Sequence, residues 1–264
     1  MIAEARREEI RTLLMTSGAV TVGELQSRFG ISPMTARRDL DVLERRGNAR
    51  RTHGGAVLPS VAAPEDSFAK RVEVATDAKQ RLAEAAFWLL VPGETIFLDS
   101  SSTAYFLARR IAVGGLSVRV LTNSGPVMQV LTTCEDPQVQ LYVIGGMERR
   151  LTGSFVGPSS VRMVRDHFVD RFFLSVTGIA RDRILTDADS LEAAVKRAML
   201  EQARETVLLM DDSKLTTHGG HAIAPLKDVS LVLAHGLSGE EARRLRTNDV
   251  DVQLVRSEMS HGRH

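Results

Sequence analysis

The chain has 264 residues, of which 43% are hydrophobic and 25% are charged, which is the composition of an ordinary globular protein. Its single cysteine, Cys134, excludes an intrachain disulfide and is typical of a reducing compartment. Apolar runs such as residues 85–91 fall far short of the ~18 residues that span a bilayer, and the charged N-terminus MIAEARREEI lacks the apolar core of a signal peptide. We therefore expect a cytoplasmic protein with no membrane partner.

The charge is distributed unevenly along the chain. Residues 1–58 contain ten arginines, no lysine and seven acidic residues, so this end carries a net charge of +3. The whole chain carries +1, which leaves the remainder close to −2. A cationic end on a weakly anionic body predicts a nucleic-acid-binding module joined to a second domain, although a basic surface without a partner is also compatible with three charges.

Residues 1–58 show the pattern of three short helices. A first helix is predicted over residues 4–16, where the apolar positions share one face. Thr21 and Glu24 have the spacing of a capping box, which predicts the start of a second helix. Ser32 and Pro33 are suited to the N-cap and first position of a third. A hairpin at about 48–57 would then add a wing, so this region is predicted to be a winged helix-turn-helix.

The third helix has one apolar stripe and one polar face. Ala36, Leu40 and Leu43 follow one another at i, i+4 and i+7, and this spacing predicts that they are buried together. The opposite face presents arginines at the end of the helix that enters the major groove in a helix-turn-helix, and arginine can bond guanine at two atoms. The alternative is a solvated helix with ion pairs such as Asp41–Arg45. The predicted DNA-binding residues are Ser32, Met34, Thr35, Arg37, Arg38, Arg51 and His53.

The rest of the chain has the pattern of an α/β domain. Residues 59–75 contain two prolines and are interpreted as a linker, and residues 258–264 as a disordered tail. Between them, over 76–257, apolar runs alternate with helical patterns, which predicts a mainly parallel sheet. The predicted strands are 95–99, 118–122, 139–146, 171–178, 206–211, 230–236 and 250–255, and the clearest helices are 79–90, 104–111 and 190–203.

Polar residues follow several of these strands at the point where each strand ends. The turn over residues 100–103 holds four hydroxyls beside the free amides of the next helix, and phosphate is the natural ligand of such a turn. Ligands of open α/β sheets bind at the carboxyl ends of the strands. The predicted effector-binding residues from this argument are Asp99, Ser100, Ser101, Ser102, Thr103, Thr122, Asn123, Ser124, Gly145, Gly146, Gly178 and Lys214.

This set suits a small phosphorylated sugar or polyol better than a nucleotide, because neither a G-x-G-x-x-G segment nor a Walker loop is present. Serine-rich turns also commonly just cap helices, so each piece is weak when it stands alone. His218 and His221 lack a third ligand at a suitable spacing, so no metal site and no cofactor are predicted.

Three spaced motifs at the N-terminal end carry a family resemblance. They are S-x-x-T-x-R-R-D-L (32–40), L-E-x-x-G (43–47) and R-x-H-G-G-A (51–56). In this order they resemble the N-terminal signature of the DeoR family of bacterial transcription regulators. The resemblance implies that Arg37 and Arg38 contact operator DNA and that Arg51 and His53 belong to the wing.

The second domain resembles the effector domain of the same family. The motifs are D-S-S-S-T, T-N-S, G-G, E-A-A-V-K-R-A-M and D-x-S-K, in the family's order. The resemblance implies a fold similar to ribose-5-phosphate isomerase and a phosphorylated sugar or related metabolite as effector. It also implies that Ser101, Ser102 and Thr103 hold the phosphate, and that Lys196 and Lys214 neutralise or orient the ligand.

The sequence therefore predicts a DNA-binding regulator, not an enzyme. We expect a repressor of a carbohydrate catabolic operon that binds double-stranded operator DNA as a homodimer or homotetramer and is associated with the nucleoid when bound. The alternative is a sugar-phosphate isomerase-like enzyme with a fused DNA-binding module. Asp99, Asp187, Glu192 and Lys214 could in principle move protons, but the paired-carboxylate and glycine-rich lysine segments of the isomerases are absent.

Overall fold

The computed structural model describes residues 3–17, 19–45, 48–52, 54–57, 65–246 and 250–255. The predicted wing residue His53, residues 59–64 of the predicted linker and the predicted tail over 258–264 lie outside these ranges. Within the described ranges, no helix is both long and apolar enough to cross a membrane.

The N-terminal module combines helices with a small antiparallel sheet. Its helices are α1 (Ala3–Ser17), α2 (Val22–Phe29) and α3 (Pro33–Arg45), and its strands are β1 (Ala19–Thr21), β2 (Arg50–Thr52) and β3 (Gly55–Val57). Strand β3 lies between β1 and β2 and pairs with both. The predicted winged helix-turn-helix is confirmed.

Local signals in the sequence set the helix ends of this module. The Thr21 hydroxyl accepts the Glu24 N–H at 3.1 Å, and the Glu24 carboxylate accepts the Thr21 N–H at 2.7 Å, so the capping box is present. Gly30 ends α2 in the left-handed region, with φ of 62°. The Ser32 hydroxyl accepts the Thr35 N–H at 3.2 Å at the start of α3. The predicted helix boundaries are therefore close to those observed.

A buried ion cluster joins α1 to α3, and the sequence pattern did not reveal it. Asp39 is 1% exposed and accepts hydrogen bonds from Arg6 Nε at 2.6 Å and Arg7 Nε at 2.8 Å. The predicted stripe of Ala36, Leu40 and Leu43 is fully buried beside it. The carboxylate therefore fixes the recognition helix against the first helix from within the module.

The second domain holds the remaining elements. Its helices are α4 (Phe68–Glu73), α5 (Thr76–Phe87), α6 (Ser102–Ala112), α7 (Gly125–Thr132), α8 (Pro158–Arg165), α9 (Ser190–Gln202) and α10 (Gly239–Leu245). Its strands are β4 (Glu94–Leu98), β5 (Val118–Thr122), β6 (Val139–Val143), β7 (Met147–Arg149), β8 (Ser154–Val156), β9 (Val169–Leu174), β10 (Gly178–Ala180), β11 (Ile184–Asp187), β12 (Ala203–Asp211), β13 (His221–Pro225), β14 (Leu231–His235) and β15 (Asp251–Val255).

The main sheet of the described chain has seven strands in the order β15-β14-β12-β9-β4-β5-β6, and every adjacent pair is parallel. These are the seven strands predicted from the apolar runs, so the α/β fold class is confirmed. Alternate residues face opposite sides: Phe97 and Phe172 pack under α8, α9 and α10, whereas Ile96 and Phe173 pack under α5, α6 and α7. Burial on both faces explains why these strands are continuously apolar.

Two of the predicted strands end earlier than expected. Strand β6 ends at Val143 and not at residue 146, and segment 171–178 is not one strand: β9 ends at Leu174, and Gly178 begins β10 of a second sheet, in the order β10-β11-β13. The segment interpreted as a linker includes α4, which is capped by the Ser67 hydroxyl. Strand β10 and helix α4 are short, so their local sequence carries little periodicity.

We predict that Asp39→Ala destabilises the N-terminal module by about 3–5 kcal/mol, because it removes the buried carboxylate that Arg6 and Arg7 share. Calorimetric unfolding of the full chain measures this. The matched control is Glu8→Ala, which removes an exposed ion pair with Arg11 within α1 and should change little. Equal unfolding temperatures for the two variants would contradict a structural role for Asp39.

Candidate DNA-binding face and effector cavity

The predicted DNA-reading side chains lie together at the N-terminal half of α3. Met34, Arg37 and Arg38 are exposed, and Met34 is 61% accessible. Thr35 is half-buried, and its hydroxyl lies 2.9 Å from that of Ser32. Ala36 packs into the core of the module, whereas Arg37 and Arg38 face solvent. This is the orientation that a helix needs if its side chains are to contact base edges.

The wing is fastened to this helix by Arg51. Its Nη1 donates to the carbonyl oxygen of Arg37 at 3.0 Å and to Asp41 Oδ1 at 2.9 Å, and its backbone N–H donates to Glu44 Oε1 at 2.8 Å. Asp41 therefore pairs with the wing. Arg45, which was considered as its partner, donates to the Asp41 backbone carbonyl instead. In this arrangement Arg51 holds β2 against the recognition helix.

A cavity of about 650 Å³ opens at the carboxyl ends of the central strands. The turn after β4 supplies Ser101, Ser102 and Thr103, and the segment after β9 supplies residues 175–177. Asp211 at the end of β12 and Lys196 from α9 also line it. This is the edge at which ligands of open α/β sheets bind, as the sequence argument anticipated.

The structure brings some of the predicted effector residues to the cavity and places others elsewhere. Ser101, Ser102, Thr103, Lys196 and Lys214 line it. Ser101 is also the N-cap of α6, since its hydroxyl accepts the Ala104 N–H at 3.0 Å. The hydroxyls and amides of this turn are therefore presented at a helix N-terminus, where an anion is favoured.

Asp99 and Ser100 lie behind the cavity wall. Asp99 is fully buried and accepts the backbone N–H groups of Ser101 and Ser175 at 3.0 and 2.9 Å. The Ser100 hydroxyl donates to Glu192 at 2.7 Å. Both residues shape the turn, and neither lines the cavity.

The other predicted strand ends make local structural contacts. Thr122 accepts the Ser124 N–H, Ser124 caps α7, and the Asn123 amide donates to the Phe155 carbonyl. Gly145 accepts from the Ser160 hydroxyl. The remaining two glycines are needed for close packing, because a Cβ would clash with Ser160 at Gly146 and with the backbone of Thr217 at Gly178.

Lys196 is the centre of a buried ion cluster. Its Nζ lies 2.7 Å from Asp187 and 3.3 Å from Asp99, and it donates to the Ser175 carbonyl at 2.9 Å. Burial alone would lower the pKa of Lys196, but its acidic neighbours, of which Asp187 has the largest effect, raise it above its ordinary value. Burial would raise the pKa of Asp187, yet Lys196 holds it below its ordinary value. The charge of Lys196 is thus already matched by protein carboxylates.

The other cations that line the cavity are Lys79, Lys214 and Arg71, and among the described residues none of them is bonded to a carboxylate as Lys196 is. Lys79 and Arg71 were not predicted from the sequence. Burial lowers the pKa of Lys79 to about 8, and the nearby Lys214 adds to the effect. Burial also lowers the pKa of Lys214. Arg71 on α4 lines the same cavity. Burial and neighbouring cations disfavour the charges of Lys79 and Lys214, and an anion bound in the cavity would offset both effects.

Lys79 had a signal in the sequence that was missed. It precedes Leu82 and Ala83 by three and four residues and therefore lies on the buried stripe of α5. Its Nζ donates to the carbonyls of Arg71 and Val74 and so caps the C-terminus of α4. Arg71 itself had no local signal, because it lies in the segment interpreted as a linker.

The first turn of α9 has a contact that its local sequence does not reveal. Asp189 is the N-cap and accepts the Glu192 N–H at 3.1 Å, and the two residues have the spacing of a capping box. The Glu192 side chain, however, turns inward and accepts bonds from Ser100 and Thr152 instead of closing the box. The Glu192 carboxylate is therefore hydrogen-bonded to buried hydroxyl groups behind the cavity.

Comparison with known proteins decides the family. The DeoR C terminal sensor domain matches residues 74–235, and the DeoR-like helix-turn-helix domain matches residues 6–61. The chain belongs to the DeoR family. The regulator predicted from the sequence motifs is therefore confirmed.

Relatives of this DeoR-family chain are named as repressors. A putative aga operon transcriptional repressor from Escherichia coli O157:H7 is 31% identical over 253 residues, which are 95% of this chain and 93% of the relative. The lactose phosphotransferase system repressor of Lactococcus lactis subsp. lactis is 34% identical over 216 residues, 81% of this chain and 84% of the relative. These relatives are regulators, so the isomerase alternative is not favoured.

Among solved structures, ribose 5-phosphate isomerase A of Methanocaldococcus jannaschii resembles 53% of this chain and 54% of its own, with 21% identity and a TM-score of 0.39. A likeness at this level carries no argument about the function of the DeoR-family chain.

The bonds of Arg51 lead to a prediction about the wing. If Arg51 positions the wing, Asp41→Ala should weaken binding to all DNA sequences as Arg51→Ala does, and the double variant should add little. If Arg51 instead contacts phosphate, Asp41→Ala releases it and DNA affinity should stay the same or increase. Fluorescence anisotropy at several salt concentrations distinguishes the two outcomes, because a lost phosphate contact also reduces the salt slope by about one unit.

The lowered pKa of Lys79 predicts how anion binding depends on pH. An anion would bind the protonated form of Lys79, so we expect affinity to be highest below pH 8 and to decrease, by up to about tenfold per pH unit, as the pH rises above the pKa of Lys79 in the free protein. Sulfate is the appropriate probe for calorimetric titration, since it does not titrate in this range. A sulfate affinity that is constant from pH 7 to 10 would contradict the assignment of Lys79 to the site.

Proposed function

We propose that this protein is a repressor of a carbohydrate operon whose DNA affinity is controlled by a small phosphorylated sugar or polyol bound in the cavity. The observation that carries the proposal is that one cavity is lined by Arg71, Lys79 and Lys214 and also by the hydroxyl-rich N-terminus of α6. Helix N-termini and clustered cations are both recognition elements for phosphate. The names of the relatives, an aga operon and a lactose phosphotransferase system repressor, support a sugar-related role.

The other residues that line the cavity are suited to a polyol attached to that phosphate. Thr177, Ser213 and Thr217 supply hydroxyl groups, and Asp211 supplies a carboxylate. Such groups donate to and accept from sugar hydroxyls. A volume of about 650 Å³ lies within the usual range for a small-molecule site. A phosphorylated sugar would therefore meet cations, hydroxyl groups and one carboxylate in the same cavity.

Ligand binding in the cavity would regulate DNA binding by α3 if the two events are thermodynamically coupled. A ligand that binds two arrangements of the DNA modules with different affinity shifts the DNA affinity by a coupling energy of about 1–3 kcal/mol. We propose that the base edges are read by Arg37 and Arg38 on a homodimer or homotetramer in the cytoplasm. A symmetric oligomer presents several recognition helices to repeated half-sites, whereas one module offers few base contacts.

The enzyme alternative is disfavoured by the bonds of the acids that would move protons. Asp99 and Asp187 are paired with Lys196, and Glu192 accepts from several hydroxyls. Each is already bonded to other protein groups, so the geometry supports binding rather than proton transfer.

The experiment combines ligand screening with DNA binding. DNA fragments selected from a random pool by the purified protein serve as the operator, and a panel of phosphorylated and free sugars is tested for thermal stabilisation and for release of that DNA. We expect one phosphorylated compound to change DNA affinity by about 5–150-fold and its free sugar to have no effect. At 100 times its dissociation constant it should stabilise the protein by about 2.7 kcal/mol.

The matched variant is Lys214→Met, which should retain DNA affinity while losing the response to the ligand. A panel with no stabilising phosphate ester would contradict the proposed effector class. Release of DNA by a ligand that still acts on Lys214→Met would show that the effector binds elsewhere.

A further inference from the structure

The segment between the two modules contributes a cation to the cavity. Arg71 lies on α4, upstream of the first strand of the main sheet. Its Nε and Nη2 are shielded from solvent and have no hydrogen-bond partner among the described residues. Its guanidinium carbon lies 6.0 Å from the centre of the Phe68 ring, a cation–π contact that supplies no hydrogen-bond acceptor to these two nitrogen atoms. A buried charged donor without an acceptor costs free energy, and an anion in the cavity would remove that cost.

The charges around Arg71 indicate what could satisfy it. Burial is the main cause of the lowered pKa values of Lys79 and Lys214, and the charge of Arg71 adds to it, so Arg71 lies close to both cations. It also lowers the pKa of Asp187, but that carboxylate is bonded to Lys196. The fork of Arg71 is suited to two oxygens of one phosphate group, which the compact ammonium groups are not.

The remaining contacts of the segment fasten it to the sensor domain and leave the guanidinium of Arg71 out. Glu65 pairs with Arg149 at 3.1 Å, and the Phe68 N–H donates to the Leu151 carbonyl at 2.9 Å. At its far end Ala75 has φ of 51°, the left-handed region that non-glycine residues seldom occupy. This residue turns the chain sharply between α4 and α5, and that turn is held under strain.

We infer that Arg71 binds the phosphate of the ligand and thereby locks α4 onto the sensor domain, so that the segment leading to the DNA module becomes more rigid when the cavity is occupied. This inference rests on the proposed function, since it requires an anionic ligand in the cavity. It adds the residue and the element that respond to the ligand. Residues 65–75 are the described part of the connection between the wing and α5. A change in the rigidity of their backbone would therefore alter how freely the DNA module moves.

The test is hydrogen exchange of the full chain with inorganic phosphate as the probe, read at the amides of residues 68–75. In the wild type, saturating phosphate should slow this exchange by at least about tenfold. Arg71→Gln should weaken phosphate binding at least about tenfold. At saturating phosphate it should show no added protection of α4. Arg71→Lys should bind phosphate with intermediate affinity, because it keeps the charge and loses the fork.

The matched control is Lys70→Ala on the same helix, an exposed lysine paired with Asp66, and its phosphate response should equal that of the wild type. Without ligand, Arg71→Gln should unfold at the same temperature as the wild type or higher, because it removes an unsatisfied buried cation. A merely structural arginine would lower that temperature.

The outcomes separate this inference from the proposed function. Equal phosphate affinity of Arg71→Gln and the wild type, or equal protection of α4 in both, overturns the role of Arg71 and leaves the effector site standing. Failure of the wild type to bind phosphate or any phosphate ester overturns both.

Discussion

The cavity depends on one buried ammonium group. Lys196 reaches from α9 to Asp99 at the end of β4, to the Ser175 carbonyl after β9 and to Asp187 at the end of β11. It therefore joins elements that are far apart in the chain. Asp99 in turn fixes the amides of Ser101 and Ser175. Removing one partner of such a cluster leaves an uncompensated buried charge, so the strand ends are held in one arrangement.

This cluster divides the cations of the site into two classes. Lys196 is matched by carboxylates and shapes the walls, whereas Lys79, Lys214 and Arg71 face the cavity with lowered pKa values or unsatisfied donors. An anionic ligand would be attracted to Lys79, Lys214 and Arg71, and it would not have to displace the carboxylates that are bonded to Lys196. A fixed, preorganised wall also reduces the cost of ordering the site on binding.

Local signals made much of the fold predictable. The seven strands follow from continuous apolar runs, and Thr21, Glu24 and Ser32 set helix ends through bonds to residues three apart. Asp39 and Arg71 escaped because their roles arise from tertiary contacts that no local period records. Among the predicted effector residues, the turn after β4 reached the cavity because it directly follows a central strand. Thr122 is the last residue of β5 and Gly145 follows β6, and these strands lie at one side of the sheet. Their polar groups are bonded locally instead, Thr122 to the Ser124 N–H and Gly145 to the Ser160 hydroxyl.

The rim of the cavity offers a physical basis for the two states that linkage requires. Glu44 and Ala49 of the N-terminal module border it, together with Glu65 and Asp66 of the connecting segment. Glu44 also accepts the N–H of Arg51 and so belongs to the bonds between wing and recognition helix. A dianion bound in the cavity would attract Arg71 and repel Glu44, whereas Glu65 is paired with Arg149 and Asp66 with Lys70. An arrangement in which Glu44 had moved away would therefore bind the dianion more tightly than the one described. Only such a difference in affinity would let a ligand shift the equilibrium between arrangements, and the shift would then act on the wing and α3.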